Sequence, residues 1–304
     1  MNRDGATLRI AAPAKVNLGL RVVGRRADGY HLLRSVMTLL DWGDELHIEP
    51  LPTPELHLTC EPEVTLRVEE NLVWRAAERL RHRCAISRGA RIHLIKRTPT
   101  AAGLGGGSSD AASTLLALNH LWQCGLSLNE LREVGLALGA DVPFFVAGES
   151  ALAQGIGEIL RPVSLDHPLH LVLANPGKPL ATALVFKTYG AQLTSRHHPA
   201  NIPGLDQSEE VALLDWRNDL EATARSLLPE MDEVFRCLAD CQPAQVRMSG
   251  SGPTVYGVFA RSDLAQAAAE VLKGRHPAWW VRQTDTLSRH PFHLQHGLPR
   301  LSEI

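Results

Sequence analysis

The chain has 304 residues, of which 44% are hydrophobic and 21% charged, and its formal net charge is −2. This balance is typical of a soluble globular protein and gives no reason to expect a nucleic-acid or membrane partner. Five cysteines without a CxxC pair favour a reducing compartment, and the first ten residues lack the apolar run of a signal peptide. We therefore expect a cytoplasmic protein, long enough for two domains.

The first part of the chain has the pattern of short strands joined by turns. Residues 8–10 and 14–20 alternate apolar and polar side chains, with Lys15 and Asn17 on the polar face of the second segment. A turn (RRADG) precedes Tyr30 and His31, and further strands are predicted at residues 35–40, 45–49 and 55–60. Residues 41–44 (DWGD) are predicted to form a hairpin turn. The polar face of the second segment fits solvent exposure and a binding site equally well.

The most informative stretch is the glycine-rich segment at residues 99–119, PTAAGLGGGSSDAASTLLALN. It follows a predicted strand at residues 91–96 and begins a predicted helix, with Ser108 or Ser109 as the expected N-cap. Glycines allow close approach of the backbone, and free N–H groups at a helix start favour an anion such as a phosphate chain. The segment is neither a P-loop nor the dinucleotide fingerprint, so a structural glycine-rich turn is the alternative.

The remaining pattern indicates helices and then a second domain. Asn71 is a predicted N-cap of a helix that ends near Arg83, and residues 127–130 (SLNE) form a predicted capping box. Asp141, in the segment GADVPFF, either caps a short helix or serves chemistry. We place the domain boundary between residues 155 and 156, which gives domains 1–155 and 156–304. With its extra helices set aside, the second domain reads β-α-β-β-α-β, the ferredoxin-like order. A polar loop is predicted at residues 195–210 and an extra helix at about residues 211–227. The glycine-serine loop at residues 249–253 fits a long hairpin turn and a ligand loop equally well.

Three segments in this order resemble the GHMP kinases: PAKVNLGL at 13–20, PTAAGLGGGSSDAA at 99–112 and MSGSGPTVYGVF at 248–259. Residues 25–31, 118–127, 138–145 and 155–160 resemble the branch that phosphorylates a cytidine-diphosphate-linked methylerythritol in non-mevalonate isoprenoid synthesis. The resemblance is almost continuous over the N-terminal half and weak at residues 195–210 and after residue 287. It implies an α+β fold with a ribosomal-protein-S5-like N-terminal domain and a ferredoxin-like C-terminal domain.

The resemblance also implies roles for particular residues. Asp141 matches the catalytic base and Lys15 its partner. The acceptor site is implied at Asn17, Tyr30, His31, Thr182 and Phe186. ATP is the implied phosphoryl donor, accompanied by Mg²⁺. The protein ligands of the ion stay open, as does the oligomeric state of the protein. The implied ATP-binding residues are Asn71, Leu72, Lys96, Pro99, Thr100, Ala101, Ala102, Gly103, Leu104, Gly105, Gly106, Gly107, Ser108 and Ser109.

The residue types suit phosphoryl transfer, which needs an anion cradle, a cation and a base for the attacking hydroxyl. Two alternatives are a GHMP kinase for homoserine or a mevalonate derivative, and a nucleotide sensor without activity. The aromatic side chains of Tyr30 and Phe186 argue against a small acidic acceptor, which needs cations instead. The presence of both Asp141 and Lys15 argues against a sensor.

Overall fold

The computed structural model describes residues 7–63, 67–193 and 216–304. These residues contain ten strands and nine α-helices. The N-terminal half contains β1 (Leu8–Arg25), β2 (His31–Leu51), β3 (Leu56–Glu61), α1 (Leu72–Arg83), β4 (Gly89–Ile95), α2 (Gly106–Leu121), α3 (Leu128–Leu136), α4 (Val142–Ala147) and β5 (Ala151–Gly155). The C-terminal half contains β6 (Ile159–Pro162), β7 (His170–Asn175), α5 (Thr182–Leu193), α6 (Glu221–Leu227), α7 (Glu230–Asp240), β8 (Gln245–Met248), β9 (Val255–Phe259), α8 (Ser262–Arg275), β10 (Trp280–Leu287) and α9 (Pro291–His296).

The first two strands are longer than the alternation predicts, and the hairpin turn at residues 41–44 was wrong. β2 runs without a turn from His31 to Leu51 and pairs antiparallel with β1 along its length. The ladder shifts register between Pro13 and Lys15, opposite this stretch. A Cβ on Gly43 would lie 2.1 Å from the carbonyl oxygen of Ala12, so the glycine permits a close strand approach. The turn-like residues therefore mark an irregularity inside a strand. Such irregularities favour glycine, as turns do.

Helix starts in the N-terminal half follow the sequence signals at two of three places. The Asn71 side chain accepts a hydrogen bond from the backbone N–H of Val73, and the capping box of Ser127 and Glu130 forms. The predicted serine N-cap of α2 was wrong, because α2 begins at Gly106 and Gly105 is its N-cap residue, with φ +71°. Glycine permits the left-handed conformation at position 105, and the helix therefore begins before Ser108 is reached.

The C-terminal half has the predicted ferredoxin-like order. Its four main strands lie in the spatial order β10-β7-β9-β8, and their pairs are antiparallel. The short strand β6 and the C-terminal helix α9 are additions that the sequence patterns did not predict. The predicted polar loop at residues 195–210, and the first part of the helix predicted at residues 211–227, lie outside the described residues. Within the described residues, no helix is both long and apolar enough to cross a bilayer.

The two halves share one sheet, whose central path is β3-β4-β2-β10-β7-β9-β8. β10 joins them by pairing Thr286 and Leu287 with Leu40 and Leu39 of β2. One hydrophobic cluster lies under the N-terminal helices, and a second lies in the C-terminal half. A third cluster contains residues of both halves, among them Val16 and Tyr256. This central region places β1, the glycine-rich loop and the loop after β8 next to each other.

Candidate active site

A cavity of about 990 Å³ lies where these segments meet. It brings together the residues that the sequence predicted for a site, with two exceptions, Leu104 and Ser109. Those that line it are Lys15, Asn17, Tyr30, His31, Asn71, Leu72, Lys96, Pro99, Thr100, Ala101, Ala102, Gly103, Gly105, Gly106, Gly107, Ser108, Asp141, Thr182 and Phe186. The side chains of the two exceptions are buried: Leu104 lies in the central hydrophobic cluster, and the Ser109 hydroxyl donates to the Pro13 carbonyl at 2.7 Å. Any contact of these two with a ligand would have to use the backbone.

The start of α2 forms an anion cradle at one end of the cavity. The N–H of Ser109 is the first to bond inside the helix, to the carbonyl of Gly105 at 2.9 Å. The N–H groups of Gly106, Gly107 and Ser108 belong to the first turn, where an α-helix offers no internal acceptor. All three residues line the cavity. Free N–H groups and the positive end of the helix dipole together suit the binding of phosphate.

A second loop, at residues 249–253, supports the first. The Ser249 hydroxyl donates to the carbonyl of Gly103 at 2.9 Å and accepts from the N–H of Asn17 at 3.3 Å. A Cβ on Gly103 would lie 2.3 Å from the backbone oxygen of Ser249, so only glycine fits this contact. Gly250 and Ser251 of the second loop also line the cavity. The sequence left open whether this loop was a hairpin turn or a ligand loop, and its position favours the latter.

A chain of polar side chains holds Lys15 beside Asp141. The Lys15 ammonium donates to Asn17 Oδ1 at 2.6 Å, and Asn17 Nδ2 donates to the Ser35 hydroxyl at 2.7 Å. The distance from Lys15 Nζ to Asp141 Oδ2 is 3.6 Å. Asp141 is the N-cap residue of α4, but its side chain makes no capping hydrogen bond. The carboxylate is therefore available to act on a ligand in the cavity.

The opposite end of the cavity is aromatic. The rings of His31 and Phe186 are stacked, and Tyr189 meets His31 edge to face. Tyr30 lies at the rim with 62% of its surface exposed. Burial, and then the positive charge of Arg25, lower the pKa of His31, so the imidazole is neutral near pH 7. A neutral imidazole can serve as donor or acceptor to an uncharged ring.

Lys96 lies between two buried carboxylates, a feature that the sequence did not predict. Its ammonium donates to Asp44, and to Asp110 Oδ2 at 2.9 Å. Burial raises the pKa of Asp110 to about 8, with Lys96 opposing the rise and Asp44 adding to it. The pKa of Lys96 is also raised, because the two carboxylates outweigh the effect of burial. No sequence signal links Asp44 to this cluster, because DWGD resembles a turn.

The family model of the GHMP kinases N terminal domain matches residues 71–149, and that of the GHMP kinases C terminal matches residues 202–278. The chain belongs to the GHMP kinases. A relative from Geobacter metallireducens, named 4-diphosphocytidyl-2-C-methyl-D-erythritol kinase, is 44% identical over 277 residues, which cover 90% of this chain and 97% of the relative.

Solved structures agree with this placement. A crystal structure of a 4-(cytidine 5'-diphospho)-2C-methyl-D-erythritol kinase matches with a TM-score of 0.75 at 37% identity, covering 92% of this chain and 100% of the other. A homoserine kinase from Cytophaga hutchinsonii has a TM-score of 0.67 at 17% identity, covering 95% and 96% of the two chains, and shares the fold alone. The predicted GHMP kinase fold is confirmed. As a member of this family, the protein is a kinase that takes its phosphoryl group from ATP and transfers it to a small molecule.

Proposed function

We propose that this chain phosphorylates the 2-hydroxyl of 4-diphosphocytidyl-2-C-methyl-D-erythritol with ATP. The observation that carries the proposal is one cavity with a phosphate cradle, a lysine–aspartate pair and an aromatic end. The pairing of β1 with β2 separates the polar end of the cavity from its aromatic end. Asn17 of β1 pairs with Met37, whereas His31 pairs with Arg25, eight residues further along β1. An extended acceptor with a base at one end and a hydroxyl at the other suits this arrangement. Names of relatives at about 40% identity support the same acceptor.

Asp141 is the proposed general base, and Lys15 its partner. An alcohol attacks phosphorus efficiently only when its proton is accepted as the new bond forms, and a carboxylate in the cavity can accept that proton. Lys15 faces both the carboxylate and the glycine loop, since a Cβ on Gly105 would lie 3.1 Å from its Cγ. Its charge can therefore stabilise the transferring phosphoryl group as well as the ionised base. Asn17 holds the ammonium in that position.

The donor half of the cavity supports ATP accompanied by Mg²⁺. The lining of the whole cavity contains two cations, Lys15 and Lys96, against the acidic side chains of Asp28, Glu70, Asp110 and Asp141. These cations cannot neutralise a triphosphate, least of all when Lys96 is paired with carboxylates. Mg²⁺ typically takes phosphate oxygens, water and one or two protein oxygens, and Ser108, whose side chain carries a hydroxyl, lines the cavity at the cradle. The ion would neutralise charge that develops on the phosphates, and Ser108 is the side chain that we propose to hold it.

The acceptor half supports a cytidine base near Phe186, Tyr30 and His31. Aromatic side chains supply stacking energy for any base, so the choice of cytosine needs a hydrogen-bonding partner. His31 is neutral and buried, and its Nε2 has no partner among the described residues. Thr182, whose hydroxyl lies 2.8 Å from that of Ser251, also lines the cavity, and we propose that it contacts the sugar. We place the reaction in the cytoplasm, a compartment with which five free thiols are consistent.

A competition between acceptors tests the proposal. The purified protein is incubated with ATP, Mg²⁺ and, separately, the cytidine-linked methylerythritol, mevalonate and homoserine, and ADP release and product mass are measured. We expect turnover with the cytidine compound alone, and dependence on Mg²⁺. Turnover preferring mevalonate or homoserine would replace the acceptor that we propose, and ATP binding without any turnover would favour a nucleotide sensor.

A further inference from the structure

We propose that Asp44 is a positioning residue for the nucleotide: it fixes the strand-to-loop junction before the glycine loop and orients Lys96 toward the cavity. This inference rests on the proposed function only in so far as the cavity binds ATP. Asp44 lies in β2, on a different element from the loop, and its side chain is fully buried. Nothing in the phosphoryl transfer itself uses it.

The contacts of Asp44 converge on three consecutive residues. Its Oδ1 accepts from the backbone N–H of Arg97 at 2.6 Å and of Thr98 at 2.7 Å. Its Oδ2 accepts from the ammonium of Lys96. β4 ends at Ile95, so these residues are the first of the connection that leads to the glycines. One carboxylate therefore replaces the strand partners that this segment loses when it leaves the sheet.

Lys96 extends the same cluster to the other end of the loop. Asp110, which also binds the ammonium, lies at the start of the second turn of α2, three residues after the last glycine of the loop. A Cβ on Gly106 would lie 3.2 Å from Lys96 Nζ and 2.9 Å from the side chain of Thr98. The cluster of Asp44, Lys96 and Asp110 thus ties the loop together at its base. The spacing between its two ends is set before a triphosphate binds.

The ion pairing also decides what Lys96 can offer a ligand. An ammonium has three N–H donors, and two of them are directed at the carboxylates. One donor is left for the nucleotide, and its direction depends on the other two. The carboxylate of Asp44 already balances the charge of Lys96, and Asp110, with a pKa raised to about 8, adds no positive charge, so the cluster offers no excess positive charge to a phosphate. Lys96 therefore suits an uncharged acceptor atom on the base or the ribose, and it can reach that atom only while Asp44 holds it.

Calorimetric binding of a non-hydrolysable ATP analogue with Mg²⁺ tests the role of Asp44 without requiring any acceptor. Asp44→Asn keeps an oxygen for the two backbone N–H groups but turns an amide toward the ammonium, whereas Asp44→Ala removes every contact. We expect the Kd of the analogue to rise about tenfold for Asp44→Asn and about a hundredfold for Asp44→Ala. The matched control is Asp41→Asn, an exposed carboxylate three residues earlier in the same strand, which should bind like the wild type.

Two further measurements separate positioning from a general loss of structure. In a cycle with Lys96→Gln, the effects of Asp44→Asn and Lys96→Gln should not add, because the first acts largely through the second. The KM of the acceptor should stay unchanged in Asp44→Asn. A lower melting temperature with normal analogue binding, fully additive effects, or an equal rise in acceptor KM would each overturn the proposal. None of these outcomes bears on which acceptor is phosphorylated, so the inference can fail while the proposed function stands.

Discussion

The imidazole of His31 is stacked on the ring of Phe186, with the centroids 5.4 Å apart and the planes inclined by 29°. One face of Phe186 is therefore already covered by the side chain of His31, and Phe186 also lines the cavity. The sequence resemblance implies that Tyr30 and Phe186 both belong to the acceptor site. In the structure, Tyr30 lines the same cavity as Phe186 with 62% of its surface exposed, and we propose that it closes over a base stacked on Phe186.

The first prediction is that Phe186→Ala and Tyr30→Ala each raise the KM of the cytidine acceptor by about tenfold to a hundredfold. Loss of one stacking ring removes roughly 1–3 kcal/mol per base, and ~1.4 kcal/mol is one decade. Steady-state kinetics should show an unchanged KM for ATP, because the cradle lies at the other end of the cavity. Leu184→Ala, an exposed position on the same helix, is the control. An unchanged acceptor KM in both aromatic variants would remove the clamp.

The second prediction concerns catalysis by Asp141. Asp141→Asn should lower kcat on the order of 10²–10⁴-fold, the usual contribution of a general base. The melting temperature and the affinity for an ATP analogue should stay close to wild type, because the Asp141 side chain makes no capping hydrogen bond. Single-turnover assays with both substrates bound would measure the effect on chemistry directly. A variant with near-normal kcat would show that another group accepts the proton.

The third prediction contrasts two glycines of the same loop. Gly103→Ala should lower the melting temperature, because φ is +75° and a Cβ would meet the backbone of Ser249 at 2.3 Å. Gly107→Ala should leave stability intact or slightly raised, since a Cβ there would meet only Leu72, at 3.6 Å, and alanine favours a helix. Gly107 nevertheless lines the cavity, so its alanine variant should raise the KM of ATP. Normal ATP kinetics in Gly107→Ala would mean that the nucleotide does not approach this turn.

The fourth prediction is a pH dependence of stability that originates in the C-terminal helix. Burial lowers the pKa of His290 to about 3, with His293 adding to the shift, and that of His293 to about 4, with Arg289 adding to it. In the unfolded chain both would titrate near ~6.5, so the unfolded state binds more protons below that pH. Their stabilising contribution is complete above pH ~6.5 and is lost as the pH falls from there toward 4.

Denaturant unfolding at several pH values between 7.5 and 4.5 checks this prediction. His293→Gln should reduce the slope of unfolding free energy against pH by up to ~1.4 kcal/mol per pH unit. Comparison with wild type cancels the contributions of other groups, including Asp110, whose raised pKa acts in the opposite direction. His82→Gln, at an exposed position, should leave the slope as it is. Parallel curves for wild type and His293→Gln would contradict the assignment.

Local signals in the sequence predicted those parts of the fold that local interactions decide. The cap at Asn71 and the capping box at Ser127 are both confirmed, because each depends on neighbours a few residues away. The stretch at residues 41–44 failed for the opposite reason: Gly43 serves a contact with Ala12, thirty-one residues earlier, and glycine in a turn looks the same in sequence. At the site, the family resemblance supplied the long-range information that local signals lack, since nearly all of the residues that it indicated line one cavity.

What sequence reasoning missed was the support beneath the site. Asp44 and Asp110 meet at Lys96 although 66 residues separate them, and no local periodicity encodes a buried ion cluster of this kind. The same holds for Ser249, whose hydroxyl supports the loop at Gly103 from the other half of the chain. The domain boundary between residues 155 and 156 stays a prediction. In the structure it falls in the connection between β5 and β6, two strands that pair with each other.

The pairing of β2 with strands of both halves limits how the protein can move when substrates bind. It hydrogen-bonds to β1, β4 and β5 on the N-terminal side and to β10 of the C-terminal half. A hinge would have to break the β2–β10 bonds and divide the hydrophobic cluster that contains both Val16 and Tyr256. The two halves are thus expected to move as one rigid body, without hinge closure of one half toward the other over the ligands. Entry of substrate and exclusion of water would then depend on individual side chains at the rim of the cavity, such as that of Tyr30. Spin labels placed on the two halves should therefore keep their separation when ATP and acceptor bind.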